Sequence, residues 1–223
     1  MATDKDIIVK DVTCAGGMPA YVAKPSDEGK NASIVLMHER YGLVDHTKDL
    51  ARRFAHDGYT CIAPDTFFCH PDQDALHRGD DRYDLTDDEA VENLSAAMDA
   101  LEANEGSDLS RCAVMGVCQT GRHPLILATK RPIAAALVWY GAASKREWEV
   151  NDCQPRALAE VIADLDCPVF GSFGEADHII SLDDVRRFRI CLEDNLKSYS
   201  INLFRGAPHG WLNDTMPGRY RKE

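Results

Sequence analysis

A cysteine between closely spaced glycines is the clearest sign of chemistry in this chain. Residues 116–121 read Gly-Val-Cys-Gln-Thr-Gly; the apolar run Cys112–Val117 leads into them, and residues 125–128 suggest a helix beyond. This spacing is that of a nucleophile elbow opened by one residue, with cysteine in the usual place of serine. Glycines are needed because the backbone passes close to itself in strained conformations. We expect Cys118 to stand clear of a sheet, at a helix N-terminus that favours its thiolate.

An acid and a histidine follow Cys118 at the ends of later predicted strands. Asp177 closes a Gly-Glu-Ala-Asp segment, and His209 lies in Ala-Pro-His-Gly-Trp. A free thiol with a pKa near ~8.5 is mostly protonated at neutral pH. Histidine can take that proton, and a carboxylate can fix the tautomer of the histidine. The order nucleophile, acid, histidine is that of the α/β-hydrolases, so the sequence predicts a triad of Cys118, Asp177 and His209.

Each member of this predicted triad has a structural alternative. Cys118 could be an inert core thiol, and His209 could be a buried histidine with no chemical role. Asp177 could cap the turn that follows it, and Asp166 or Asp183 would then compete for the histidine. Three suitable residue types in the required order favour the catalytic interpretation.

The predicted fold supplies an oxyanion hole from two backbone N–H groups. One comes from the residue after the nucleophile and the other from the loop after an early strand. These positions are Gln119 and, in the loop of residues 38–42, Arg40. Only their amides are invoked, so their side chains matter less.

Short apolar runs alternate with amphipathic stretches along the chain, which predicts a mostly parallel sheet with helices on both faces. A single α/β domain over residues 1–223 fits this alternation. Residues 66–85 are predicted to be irregular, and Thr86–Glu89 predicts a capping box that starts a helix. The other predicted helices are Asp45–Asp57, one around Pro155–Ala163, and one from Ser181 with Val185, Phe188, Leu192 and Leu196 facing inward. The predicted strands are Ile7–Val12, Met18–Ala23, Ser33–His38, Tyr59–Ala63, Cys112–Val117, Ala134–Tyr140, Pro168–Phe173 and Tyr199–Phe204.

Composition narrows the class of protein. A net charge of −12 argues against binding to nucleic acid or to an anionic membrane. There is no C-x-x-C pair, and the His and Asp residues of the 66–85 loop fit no standard metal spacing, so we expect no metal and no cofactor. The N-terminus is polar and lacks a signal peptide, which predicts a cytoplasmic protein with reduced thiols in all eight cysteines.

Five segments together resemble the dienelactone hydrolase (carboxymethylenebutenolidase) family, over about residues 7–220. This resemblance implies a single-domain α/β-hydrolase without a large lid, which cleaves small esters or lactones through an acyl-enzyme as a monomer or homodimer. It implies Cys118 as nucleophile, His209 as base and Asp177 as its partner. It further implies that Glu39 contacts the resting thiol and helps to ionise it. The segments are residues 38–43, 58–65, 116–118, 174–177 and 209–211.

The chain also departs from the family pattern. Thr120 stands where a glycine is usual, and Arg122 opens the following helix, where its charge could serve an anionic substrate. The family arginine four residues after the histidine is Asn213, which puts dienelactone itself in doubt. Only residues 210–223 follow His209, so we expect an unusual or truncated C-terminus. Arg78 and Arg82 are candidates for binding a substrate carboxylate, and Tyr140 and Trp211 either line the pocket or belong to the core.

Two other functions fit the same residues. The enzyme could be a thioesterase or another small acyl hydrolase, which substrate profiling would reveal. Alternatively, the domain could be a non-catalytic binding module with a redox-sensitive Cys118, although such a module has no need of an aspartate and a histidine.

Overall fold

One eight-stranded sheet runs through the computed structural model, which describes residues 6–27, 29, 31–216 and 218–221. The spatial order of the strands is β1-β2-β4-β3-β5-β6-β7-β8. The pairs β1–β2 and β2–β4 are antiparallel, and all pairs from β4 to β8 are parallel. The sheet is therefore mostly parallel, as the sequence predicts. The strands are β1 (Ile7–Thr13), β2 (Pro19–Pro25), β3 (Ser33–Leu36), β4 (Thr60–Pro64), β5 (Cys112–Val117), β6 (Ala135–Trp139), β7 (Val169–Gly174) and β8 (Tyr199–Phe204).

The strand register brings the ends of the parallel strands to one edge of the sheet. Val117 at the end of β5 pairs with Trp139 at the end of β6, and Gly174 of β7 pairs with Phe204 of β8. Ligands of such sheets bind beyond the carboxyl ends of the strands. The segments that follow β3, β5, β7 and β8 at this edge carry Glu39, Cys118, Asp177 and His209.

Helices cover both faces of the sheet. Alternation along β3 sends Ile34 and Leu36 into the core under α1 and Val35 into the core on the opposite face. That second core includes buried residues of α3 to α6, such as Leu94 and Phe188. The helices are α1 (Asp45–His56), α2 (Gln73–Arg78), α3 (Asp87–Glu105), α4 (His123–Ala128), α5 (Leu158–Ala163) and α6 (Leu182–Asp194).

Helix starts follow the local sequence closely. The capping box predicted at Thr86 is present, with the Glu89 N–H donating to Thr86 Oγ1 and the Glu89 carboxylate accepting from the Thr86 N–H. A second box joins Ser181 and Asp184 at the start of α6. These short-range hydrogen bonds satisfy helix N–H groups that have no partner within the helix.

The helix expected around residues 155–163 is present, over Leu158–Ala163. Two other expectations about the elements were wrong. Residues 66–85 are not irregular throughout, because Asp72 caps the short helix α2 and Gly79 ends it with a positive φ. Leu196 does not face inward: α6 ends at Asp194, and Leu196 lies beyond it with φ of 54° and 93% of its surface exposed.

The described part of the chain contains no helix long and apolar enough to cross a membrane. All eight cysteines are free thiols. After β8 the described residues up to Arg221 form turns and no further helix.

Candidate active site

The turn after β5 holds Cys118 in a conformation that few side chains adopt. Its φ is 57°, and a short 3-10 turn over Cys118–Arg122 leads into α4. The turn is so tight that a Cβ on Gly116 would lie 2.4 Å from the Thr120 carbonyl oxygen, and one on Gly121 would lie 2.6 Å from the Gly141 Cα. Only glycine fits at these two positions, which explains the spacing seen in the sequence.

Cys118, His209 and Asp177 form one hydrogen-bonded row. The Cys118 sulfur lies 3.1 Å from His209 Nε2, and His209 Nδ1 lies 2.8 Å from Asp177 Oδ2. The Asp177 side chain is fully buried, and its other oxygen accepts hydrogen bonds from the backbone N–H groups of Ile179 and Ile180. The alternative carboxylates Asp166 and Asp183 are both exposed, and it is Asp177 that binds His209.

The surroundings of His209 favour its charged form. Burial lowers the pKa of the ring, but hydrogen bonds and charges from Asp177 and Cys118 raise it to about 10. Burial raises the pKa of Asp177, and the hydrogen bond and charge of His209 together with the two backbone N–H groups bring it below its usual value. An imidazolium between a carboxylate and a sulfur is the arrangement in which a thiolate is stable.

Glu39 is buried beside this row, but its oxygens are taken by other partners. One accepts a hydrogen bond from the Tyr140 hydroxyl at 3.2 Å, and the other accepts from the Asn213 amide at 2.6 Å. No hydrogen bond joins Glu39 to Cys118 in the described part of the chain, although the resemblance implies such a contact. Asn213, which stands where the family has an arginine, therefore holds the glutamate.

A cavity of about 200 Å³ opens over the Cys118 sulfur. Arg40 and Gln119 line it, and their side chains donate to the carbonyls of Gly79 and Tyr83 respectively. These contacts fix both residues against the segment that follows α2. The residues around the opening include Arg82, Tyr140, Ser144, Arg146, Ile179 and Ile180.

The structure divides the predicted arginines into two groups. Arg82 lines the cavity, but Arg78 is a surface residue paired with Asp80 and does not. Arg122 points away from the cavity, with its guanidinium 3% exposed and bound to both oxygens of Asp87 at 2.8 and 2.9 Å. The expectation that Arg122 contacts an anionic substrate is corrected, because its charge is already neutralised inside the protein.

Trp211 is likewise a core residue and not part of the cavity wall. Its ring packs against Trp139, Tyr140 and Phe204, whereas Tyr140 itself lines the cavity. Arg146, in the 3-10 turn Lys145–Trp148, also lines the cavity and was not predicted from the sequence. The sequence signal for it is its position shortly after the end of β6, at the edge that carries the other site residues.

No group of three or more His, Cys, Asp or Glu side chains is placed to hold a metal ion among the residues the structure describes. The histidines of residues 66–85 make local contacts. His70, for example, contacts the backbone of Asp72.

The chain matches a known protein family over most of its length. The model of the Dienelactone hydrolase family matches residues 18–223. The chain belongs to the dienelactone hydrolase family. This family membership makes the protein a hydrolase, and its α/β-hydrolase fold carries no large lid.

Individual proteins resemble the chain over most of its length. A "Putative carboxymethylenebutenolidase" of Methylorubrum extorquens is 28% identical over 214 residues, covering 93% of this chain and 72% of the relative. A "Probable 2-oxo-3-(5-oxofuran-2-ylidene)propanoate lactonase" of Bradyrhizobium is 24% identical over 86% of this chain and 78% of the relative. The crystal structure of a "Putative Dienelactone Hydrolase" from Klebsiella pneumoniae has a TM-score of 0.85 at 27% identity, covering 97% of this chain and 92% of that chain.

The buried ion pair beneath the elbow predicts a large effect on stability. Arg122→Met leaves the Asp87 carboxylate buried without its partner, so we expect the free energy of unfolding to fall by about 3–5 kcal/mol. Urea denaturation measures this change. Arg82→Met is the matched control, because the pair of Arg82 with Asp84 is exposed and its loss should cost less than about 1 kcal/mol. Similar small changes in both variants would contradict a structural role for Arg122.

The His209–Asp177 pair predicts a stability difference with a defined pH window. The folded pKa of His209, about 10, lies above its ordinary value of 6.5, so its contribution is complete below pH 6.5 and lost as pH rises through about 10. The contribution of Asp177, whose pKa is lowered from 3.8, is lost instead at acidic pH. Asp177→Asn should therefore reduce the free energy of unfolding most between about pH 4 and 6.5.

This window is measured by urea denaturation at several pH values, with Asp183→Asn as a control for loss of an exposed carboxylate. The difference in the free energy of unfolding between wild type and Asp177→Asn should shrink steadily from pH 6.5 to 10. If this difference grew above pH 8, His209 and Asp177 would not form a charged pair.

Proposed function

We propose that the protein hydrolyses small carboxylic esters or lactones with Cys118 as nucleophile, His209 as acid and base, and Asp177 as the partner of His209. The hydrogen-bonded row of these three side chains, opening into a small cavity, is the observation that carries this proposal. The Bradyrhizobium relative named as a lactonase supports a lactone among the substrates.

The first half of the proposed reaction forms an acyl-enzyme. The Cys118 thiolate attacks the acyl carbon and forms a C–S bond, while the carbonyl oxygen takes up the negative charge. The backbone N–H groups of Arg40 and Gln119 stabilise this oxyanion. The adduct then breaks its C–O bond, and the His209 imidazolium gives its proton to the departing alkoxide, which in a lactone stays attached to the acyl group.

The second half regenerates the thiolate. Neutral His209 takes a proton from water, and the resulting hydroxide attacks the thioester carbon. The C–S bond breaks, the acid leaves, and the Cys118 thiolate again faces the imidazolium. Asp177 stays ionised throughout, because its lowered pKa and its two backbone hydrogen bonds favour the charged form.

Glu39 is proposed to assist ionisation of the thiol. Tyr140 lies close to both groups: after burial, the charges of Glu39 and of Cys118 raise the pKa of its hydroxyl. Because Asn213 is neutral, it binds Glu39 without forming an ion pair. To reach Cys118, Glu39 has to break its hydrogen bonds to Tyr140 and Asn213.

The cavity wall favours a substrate with an anionic group. Arg40, Arg82 and Arg146 line it together with Glu147. Arg82 also pairs with Asp84, and Arg146 lies 3.5 Å from Glu147, but both arginines are about half exposed, so a substrate carboxylate can replace these partners. A guanidinium binds a carboxylate through two parallel hydrogen bonds, which orients as well as attracts it. Eight free thiols agree with a place in the cytoplasm, which we also propose.

Kinetics on three probe classes test the proposal: p-nitrophenyl acetate, the lactone dihydrocoumarin and S-phenyl thioacetate. Cys118→Ala should lower kcat/KM on esters and lactones by about 10³-fold or more, because the covalent route is lost. Cys153→Ala is the matched control; its thiol is also half-buried but lies outside the cavity wall, and activity should stay within about twofold of wild type.

Retained esterase activity in Cys118→Ala would refute the proposal. A thioester turned over more than about tenfold faster than either ester or lactone would instead make the enzyme a thioesterase. No turnover of any class, with Cys118 still the most reactive thiol toward iodoacetamide, would favour the redox-sensitive binding module.

A further inference from the structure

The hydroxyl of Thr120 joins the elbow to the loop after β3. Thr120 is completely buried, two residues beyond Cys118. Its Oγ1 accepts from the Val117 N–H at 3.0 Å, and its one proton lies between the His38 carbonyl at 2.8 Å, the shorter contact, and the Val117 carbonyl at 3.0 Å. A single hydroxyl therefore links the last residue of β5 with the residue just before Glu39 and Arg40.

This link continues the pairing of β3 and β5 at the point where the two strands separate. Regular pairing extends to Leu36 opposite Met115, and the Met37 N–H then donates to the Met115 carbonyl. In an unbroken parallel ladder the Val117 N–H would donate directly to the neighbouring strand. Here the Thr120 hydroxyl lies between Val117 and His38 and is hydrogen-bonded to both, in place of a direct bond between the strands.

His38 is fixed from its other side as well. Burial lowers the pKa of its ring, so the ring is neutral; Nδ1 lies 2.7 Å from the Glu39 carbonyl and Nε2 accepts from the Thr66 N–H at 3.1 Å. The ring of His38 is thus held by Thr66 and its carbonyl by Thr120, two residues before Arg40.

We propose that Thr120 is a positioning residue for the oxyanion hole. Its hydroxyl sets the distance between the Arg40 N–H, on the loop, and the Gln119 N–H, on the elbow. The inference rests on the proposed function, because these two amides are the proposed oxyanion donors. Since the oxyanion exists only during the acylation and deacylation steps, Thr120 should affect kcat and leave substrate binding unchanged.

Two variants at one position separate the hydroxyl from the volume of the side chain. Thr120→Val keeps the shape and removes both hydrogen bonds, whereas Thr120→Ser keeps the hydroxyl. Thr129→Val is the control for loss of a threonine hydroxyl that bonds a backbone carbonyl outside the cavity, since Thr129 Oγ1 donates to Ile126. If Thr120→Val does not fold, as judged by thermal unfolding, Thr120→Ala replaces it.

Each variant is assayed for hydrolysis of p-nitrophenyl acetate and for alkylation of Cys118 by iodoacetamide. Alkylation needs the thiolate but forms no oxyanion, so it reports on the elbow alone. In Thr120→Val, kcat should fall about tenfold or more, with KM and the alkylation rate within about twofold of wild type. Thr120→Ser should recover most of kcat, and Thr129→Val should behave like wild type.

The proposal is overturned if Thr120→Val keeps its kcat, or if Thr120→Ser is equally impaired. It is also overturned if kcat and alkylation fall together, because the hydroxyl would then support the elbow itself. Failure of the proposed function looks different: Cys118→Ala would still hydrolyse the ester. An inactive Cys118→Ala together with a fully active Thr120→Val refutes only the role given to Thr120.

Discussion

Backbone packed against backbone at the elbow is the constraint on which the rest of the site depends. Cys118 has a positive φ, and Gly116 and Gly121 leave no room for a Cβ, since the turn touches its own carbonyl and the backbone of Gly141. This close approach lifts the sulfur off the sheet and lets the loop after β6, with Tyr140 and Gly141, form one wall of the cavity. Any larger residue would separate these segments and move the sulfur from His209.

Charge is distributed around this turn in two layers. Above it, the imidazolium of His209 lies between the Cys118 sulfur and the Asp177 carboxylate, in contact with the cavity. Below it, Arg122 and Asp87 form a buried ion pair that joins the elbow to the start of α3. Both charges of the second layer are satisfied inside the protein, so Arg122 serves the structure of the elbow.

Backbone features were predictable from the sequence, whereas several side-chain directions were not. The strand alternation, the box at Thr86 and the glycine turn depend on short-range patterns, and the parallel register then brought Cys118 and His209 to the same edge. The direction of Arg122 depends on a carboxylate 35 residues away, and nothing local indicates that partner. Arg146 was missed for the same reason, because a polar connection gives no sign of which side chain faces a cavity.

The proposed mechanism requires Cys118 to carry the acyl group during turnover. Rapid acid quenching of the enzyme with p-nitrophenyl acetate, followed by mass spectrometry of its peptides, shows which residue is acylated. An acetyl adduct is expected on the peptide that contains Cys118, present within the first turnover and absent in Cys118→Ala. Hydrolysis at the wild-type rate with an acetyl group on another residue, or retained by the Cys118→Ala variant, would contradict it.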